Sequence, residues 1–418
     1  MGELMSELMP LDMSSPDIWG NPRFHQLIIE GLEHDGYGPD AVRPVKMALE
    51  LGSIRSNEEL FNAVQRMTSD LPAEQRRASD GALAYLRRLA ADNEASYRMT
   101  TPEEARTLAW PNAPESLGRD PEMYFDIYED LFYRHRYPFI TPQTPIGSAG
   151  SCFATRIAHQ LQEWKYNYVI EEDDLPEGYP IENLGESNYR MAPARVGTLF
   201  NVPSMQQMVE RAFGVREPDK LLSSHSDGSL LDPFRYVPAQ YTDFKGYLAD
   251  YDRHTVALRR ALMRCDVFIF TLGLTEAWYF AHSGDYTTVT PYNRINPLLL
   301  RMKLVSVEEN IAALENIYAL YRRHRPDVKF IISVSPIPLR RSFSKDHHVV
   351  VANNLSKATL IVAAHQFIER HPTTTFYFPA YEMVTYGTKE PWEADRRHVT
   401  AEAVGRVMAL FRRMFLAE

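Results

Sequence analysis

The sequence predicts an α/β fold: a three-layer sandwich with a central parallel sheet between helices, preceded by a mainly helical region over residues 1–140. Three observations predict it. From Ile146 onward, short apolar runs alternate with longer segments of 3.6-residue period, the pattern that βαβ units produce. Residues 1–140 show helical spacing and no strand-like run. The Pro-bearing stretch Tyr137-Pro138-Phe139-Ile140-Thr141-Pro142-Gln143-Thr144-Pro145 separates the two textures, which places a boundary between a region 1–140 and a domain 141–418.

Taken in order, Ser56-Asn57-Glu58-Glu59-Leu60 reads as a helix start followed by Phe61, Val64 and Met67, and residues 79–93 carry Leu83, Tyr85, Leu86 and Leu89 at helical spacing. Phe153, Ile157, Leu161 and Trp164 line one face of a helix that starts near Cys152. Tyr168-Val169-Ile170 is a candidate strand, and Val267-Phe268-Ile269-Phe270-Thr271-Leu272 a stronger one. A helix over 308–324 places Ile311, Leu314, Ile317 and Tyr321 on one side; a strand over 328–334, a long helix over 349–371 and a strand over 375–378 follow. Thr400 is the expected N-cap of a last helix bearing Val404, Met408, Phe411 and Phe415.

The chain has 418 residues, of which 44% are hydrophobic and 24% charged, ordinary for a folded protein able to bury a large core. A net charge of −10 argues against nucleic acid as the main partner, because phosphate binding draws on clustered Lys and Arg. Two cysteines, Cys152 and Cys265, make neither a disulfide framework nor a Cys-rich zinc site. The first 16 residues carry Glu3 and Glu7 without an apolar core, so no secretory signal is expected, and no apolar run reaches the length of a membrane span. These features point to a cytoplasmic setting.

In a parallel sheet, chemistry gathers at the carboxyl ends of the strands, and four segments are candidates. In Gly147-Ser148-Ala149-Gly150-Ser151-Cys152-Phe153, small residues precede an amphipathic helix. The unpaired N–H groups and positive dipole of its first turn favour a thiolate or a developing oxyanion; the plainer alternative is a tight turn with Ser151 as N-cap and Cys152 as a small hydrophobe. In Asp395-Arg396-Arg397-His398, the spacing lets the carboxylate hold the imidazole as a triad requires, although composition alone yields about one such pair by chance. In Thr271-Leu272-Gly273-Leu274-Thr275-Glu276-Ala277-Trp278, polar Thr275 and Glu276 follow the strongest strand; the alternative is a loop in which Glu276 caps a helix. In Arg195-Val196-Gly197-Thr198-Leu199-Phe200-Asn201, Gly197 could offer a backbone N–H, or the segment is an ordinary turn.

These segments, in this order, resemble the GSCFA family, named for the pentapeptide that stands here at Gly150 to Ala154. Further similar stretches are Gly197-Thr198-Leu199-Phe200-Asn201, Asp232-Pro233-Phe234-Arg235, Ser333-Val334-Ser335-Pro336-Ile337-Pro338-Leu339, residues 353–357 and Phe378-Pro379-Ala380-Tyr381-Glu382. The resemblance covers about 140–418 and is silent on the N-terminal region. The family is grouped with the SGNH (GDSL-like) hydrolases, which implies an SGNH-like, flavodoxin-like sandwich. In Gly-Asp-Ser-Leu enzymes the third residue is the nucleophile; laid without gaps this is Cys152, and shifted by one it is Ser151. The superfamily's terminal Asp-x-x-His matches Asp395 and His398. Gly197 is the candidate for the oxyanion glycine of the second block, beside Asn201. In the third block Gly273-Leu274-Thr275-Glu276 replaces Gly-x-Asn-Asp, so a Thr hydroxyl stands where an amide would donate.

The resemblance thus implies acyl transfer or ester hydrolysis without a cofactor or metal. Cys152 or Ser151 attacks an acyl carbonyl, His398 moves the proton, and Asp395 fixes the imidazole tautomer. Backbone N–H groups at Cys152 and Gly197, with Thr275, hold the oxyanion, and Asn201, Gly273 and Glu276 are further substrate or oxyanion candidates. The substrate would be a small-molecule or carrier-bound acyl group. Its helix N-terminus and neighbouring base predict a lowered pKa for Cys152, whereas Cys265, before an apolar strand, should be buried and inert. A competing reading is a binding or scaffold module that keeps the fold without catalysis, which the altered third block favours. His347-His348 has only Asp346 nearby, a poor metal set.

Overall fold

The computed structural model describes residues 11–12, 15, 17–69, 71–98, 136–173, 190–224, 230–235, 241, 244–288, 296–388 and 390–417. After a two-residue strand β1 (Leu11–Asp12), four helices follow: α1 (Pro22–His34), α2 (Pro39–Glu50), α3 (Asn57–Thr68) and α4 (Ala73–Arg98). The short β1 is a correction to the expectation of no strand before residue 140; two residues are too few to leave an alternating pattern. Next come β2 (Ile146–Gly150), α5 (Cys152–Glu163), α6 (Val202–Ala212), β3 (Leu221–Ser224), β4 (Leu230–Leu231) and α7 (Phe244–Arg264). The chain continues through β5 (Val267–Leu272), β6 (Glu276–Phe280), β7 (Tyr286–Thr287), β8 (Leu300–Leu304), α8 (Val307–His324) and β9 (Lys329–Val334). It ends with α9 (Val349–Arg370), β10 (Thr375–Phe378), α10 (Ala380–Tyr386) and α11 (Ala401–Phe415). No helix among the described residues is long and apolar enough to cross a membrane.

The central sheet has four strands in the order β10-β9-β5-β2, all parallel. Its two faces are built by strand alternation. Phe268, Phe270 and Leu272 of β5, with Phe330 and Ile332 of β9, enter a core shared with α6, α7, α8 and α9. Val267 and Ile269, with Ile331, Phe376 and Phe378, enter a second core with α5, α10 and α11. Every residue of β5 is buried, as a strand covered on both faces must be. The capping predicted at three helix starts is present: Ser56 accepts from the Glu59 N–H, Ser151 from Phe153 and Thr400 from Ala403. Tyr168-Val169-Ile170 is not a strand; only an isolated bridge joins Tyr168 to Ile146, because the chain turns away after one pairing.

Two smaller sheets lie outside this sandwich. The antiparallel order β7-β6-β8 shares a core with the N-terminal helices: Trp278, Phe280 and Leu300 pack among Phe24, Leu27, Leu60 and Val64. An arginine reinforces this contact. Arg301 donates to the carboxylate of Asp35, which Tyr85 also reaches with its hydroxyl. The helix alternative for Glu276 fails, since this residue begins β6. β1 pairs parallel with β3, which pairs antiparallel with β4.

Candidate active site

β2 delivers the chain to the carboxyl edge of the sheet, where Gly150 lies opposite Thr271 of β5. Gly150 has φ +140°, and a Cβ there would sit 2.2 Å from the Thr271 carbonyl oxygen, so only glycine permits this approach. The turn is fixed on both sides. The Ser151 N–H donates to Thr271 O (3.0 Å), and the Leu199 N–H donates to Gly150 O (2.8 Å), which ties the Gly197 to Asn201 segment to the nucleophile turn. Gly197 has φ +70°, the left-handed region. Among the described residues 190–196 no strand leads into it, contrary to the sequence expectation; it is held from outside by Gly150.

Ser151 and Cys152 then part company. Ser151 is buried, and its Oγ accepts the Phe153 N–H at 3.3 Å as the N-cap of α5. Cys152 begins α5 and reaches solvent. Its thiol pKa is raised, not lowered as the helix position suggested. Although the residue is exposed at the turn, protein packed round the sulfur withholds water from the thiolate, and this desolvation outweighs the opposing pull of its own backbone N–H, Arg397, Thr198 and Lys357. Cys265 is buried, its Sγ donates to Ala261 O at 3.1 Å, and burial pushes its pKa up strongly.

The Asp395 to His398 segment forms a closed turn. Arg396 is left-handed at φ +57°, and a bridge between Trp392 and Val399 closes the base. Asp395 Oδ1 accepts the N–H groups of Arg397 (3.0 Å) and His398 (2.9 Å), and Oδ2 lies 2.5 Å from His398 Nδ1. Burial raises the Asp395 pKa somewhat, but these donors win and hold it below its ordinary value. Arg397 of this segment lies near enough to the Cys152 thiol for each to shift the other's pKa electrostatically. The carboxylate thus orients the ring through Nδ1, which leaves Nε2 for proton transfer.

The remaining candidates are scaffold at the same edge. Asn201 caps α6, its Oδ1 accepting from the Ser204 N–H and hydroxyl, both at 2.9 Å. Gly273 approaches Phe200 so closely that a Cβ would lie 2.6 Å from its carbonyl oxygen. The Thr275 N–H donates to Ser356 Oγ at 2.9 Å. Glu276 is buried, with one carboxylate oxygen taken by the Ser342 hydroxyl and the other by the Phe343 N–H; burial raises its pKa.

Two residues were given no role by the sequence reading, although one closes the family-like stretch 353–357. Lys357 is buried on α9, its Nζ donating to Gly273 O at 2.8 Å and Ile337 O at 2.9 Å. Burial lowers its pKa to about 7, with Cys152 pulling the other way. Arg397 was visible only as filler within Asp-x-x-His. Its pKa is lowered by burial and by Arg340 and Arg341, opposed by Asp395 and Cys152. The family-like stretch 353–357 was the available signal for the first; nothing in the sequence singled out the second.

A model of the GSCFA family matches residues 145–411. The match spans more than half of the chain, and the chain belongs to that family. No curated protein and no solved structure matches it.

Proposed function

We propose that this GSCFA-family chain is an acyl-transfer enzyme of the SGNH type, an esterase, thioesterase or acyltransferase, whose catalytic unit is residues 141–418 and whose covalent intermediate forms on Cys152. What supports this reading is that the Asp395–His398 pair, about 240 residues away in sequence, brings Arg397 within electrostatic range of the Cys152 thiol. The division of labour at the turn favours Cys152 over Ser151, because the serine hydroxyl is buried in a cap whereas the thiol sits where substrate can arrive.

The raised thiol pKa sets the chemistry. At neutral pH the resting group is the thiol, so attack needs a base. His398 takes the proton as sulfur bonds to the acyl carbon, and it returns the proton to the leaving alcohol or thiol as that bond breaks. Water or an acceptor hydroxyl or amine, deprotonated in turn by His398, then displaces the thiolate. The Cys152 N–H at the helix start, with the Gly197 and Gly273 loops, lines the place where the oxyanion develops. The test is p-nitrophenyl acetate turnover with mass mapping of the trapped acyl group. An acetyl group on Cys152, absent from Cys152→Ala, supports the reading. Neither turnover nor an adduct would leave a binding or scaffold module, the reading favoured by Thr275 in place of an amide donor.

A further inference from the structure

The charges round Cys152 do not balance. Lys357 is buried, is bonded to two backbone carbonyls, and has no ion-pair partner among the described residues. The Arg397 guanidinium is half-buried and makes no hydrogen bond or ion pair among the described residues; its Nε is sealed from water without a partner. Arg340, exposed and likewise without an ion pair among the described residues, and Arg341 press on Arg397 with like charge. Among the described residues the carboxylate that acts on Arg397 is that of Asp395, and its oxygens are committed to His398 and two backbone N–H groups. A partly buried donor left unpaired destabilises a fold, more so when charged, and folds retain such groups where a ligand completes them.

We propose that Arg397, flanked by Arg340, is an anion-binding site beside the Cys152 thiol, and that the acyl substrate carries an oxyanion, a carboxylate or a phosphate, which this guanidinium receives. The planar fork of arginine matches either group in a bidentate fashion, and the neighbouring cations add attraction without supplying a competing acceptor. The inference rests on Cys152 as the reacting group but not on turnover. An anion seated on Arg397 would bring the attached electrophilic carbon to the sulfur, so the site selects by charge as well as position.

The probes are iodoacetate and iodoacetamide, which alkylate by the same step: the sulfur bonds to the methylene carbon and iodide leaves with the bonding pair. They differ in the carboxylate, and their rate ratio at one pH cancels the thiolate fraction. With mercaptoethanol as the neutral reference thiol, Cys152 should show an iodoacetate-to-iodoacetamide ratio about tenfold or more higher, the worth of one charge-assisted contact. Arg397→Gln should return the ratio to within about twofold of the reference, and the exposed Arg340→Gln, which leaves the core untouched, should lower it partway. Acetate and inorganic phosphate should each slow iodoacetate selectively. The stronger protector names the source, a carboxylate-bearing acyl group or a phosphate-bearing carrier. A wild-type ratio equal to that of mercaptoethanol, or one unchanged in Arg397→Gln, would overturn the site. Because no ester is cleaved, a high ratio in a protein that fails the p-nitrophenyl acetate test would sink the acyl-transfer reading and leave the anion site standing.

Discussion

The Lys357 ammonium sits 2.8 Å from the carbonyl oxygen of Gly273, so a buried charge on α9 pins the loop that follows the central strand β5. Its second bond, to Ile337 O at 2.9 Å, joins that loop to the one following β9. One side chain thereby fixes two loops at the carboxyl edge, next to the candidate nucleophile.

This arrangement has a pH signature. Lys357 falls from an ordinary 10.5 to about 7 in the folded protein, because burial disfavours the ammonium. Between those values the unfolded chain holds a proton that the folded chain lacks, so this residue makes stability rise with pH from about 7 upward and withholds it below. The limiting slope is about 1.4 kcal/mol per pH unit. Cys152, raised in the fold, gives the opposite slope once free thiols ionise near 8.5. Urea unfolding at several pH values between about 7 and 8.5 should therefore show a flatter dependence for Lys357→Met than for wild type. Parallel curves would mean that the lysine stays charged on its two carbonyls.

The two cysteines should separate cleanly under iodoacetamide. Cys265 is enclosed and bonded to Ala261, so it should remain unmodified in the folded protein. Cys152 should react alone, with a pH–rate profile whose midpoint lies above that of free cysteine, about 8.5, because desolvation raises its pKa. Labelling of Cys265 in native protein, or a Cys152 profile centred below that of free cysteine, would contradict the burial described for each.

Much of the frame was legible because burial writes itself into the sequence. Val267 to Leu272 is apolar enough to be a strand in any context, and Ser56, Ser151 and Thr400 cap helices as their side chains allow. The candidate site was legible as separate motifs, and Asp395 does hold His398 as the three-residue spacing implied. What escaped was relational. The raised Cys152 pKa comes from burial, against which groups at 198, 357 and 397, none of them adjacent in sequence, pull it down. β6, β7 and β8 were missed because Trp278, Phe280 and Leu300 bury against helices from the first 100 residues, a contact that no local pattern encodes.

Gly150 carries the sharpest prediction about the fold at the site. With φ +140° and the Thr271 carbonyl 2.2 Å from where a Cβ would stand, Gly150→Ala meets backbone rather than a side chain that could swing aside. Backbone strain and a clash of this kind together cost about 3 kcal/mol or more. The substitution should lower the thermal midpoint by several degrees, whereas Gly405→Ala, on α11 with nothing within 4 Å, should not. A Gly150→Ala protein as stable as wild type would show that the turn does not need this approach.

The nucleophile itself is decided by a pair of single substitutions. Cys152→Ala should abolish both turnover and the trapped acyl group, since the sulfur is the attacking atom. Ser151→Ala should retain the acyl-enzyme and lose about 1–2 kcal/mol of stability, because the bond that disappears is the cap from Ser151 Oγ to the Phe153 N–H. Cys152→Ser should fall between, since a hydroxyl depends on His398 far more heavily than a thiol does. His398→Ala should cut turnover by about 10²–10⁴, the usual worth of a positioned acid–base group, with Asp395→Asn acting in the same direction through the imidazole that Oδ2 orients. Measured together with unfolding curves, these variants separate chemistry from scaffold. The opposite pattern, an active Cys152→Ala beside a dead but folded Ser151→Ala, would move the acyl group to the serine and require its Oγ to leave the cap on binding substrate, while the roles of Asp395 and His398 would stand.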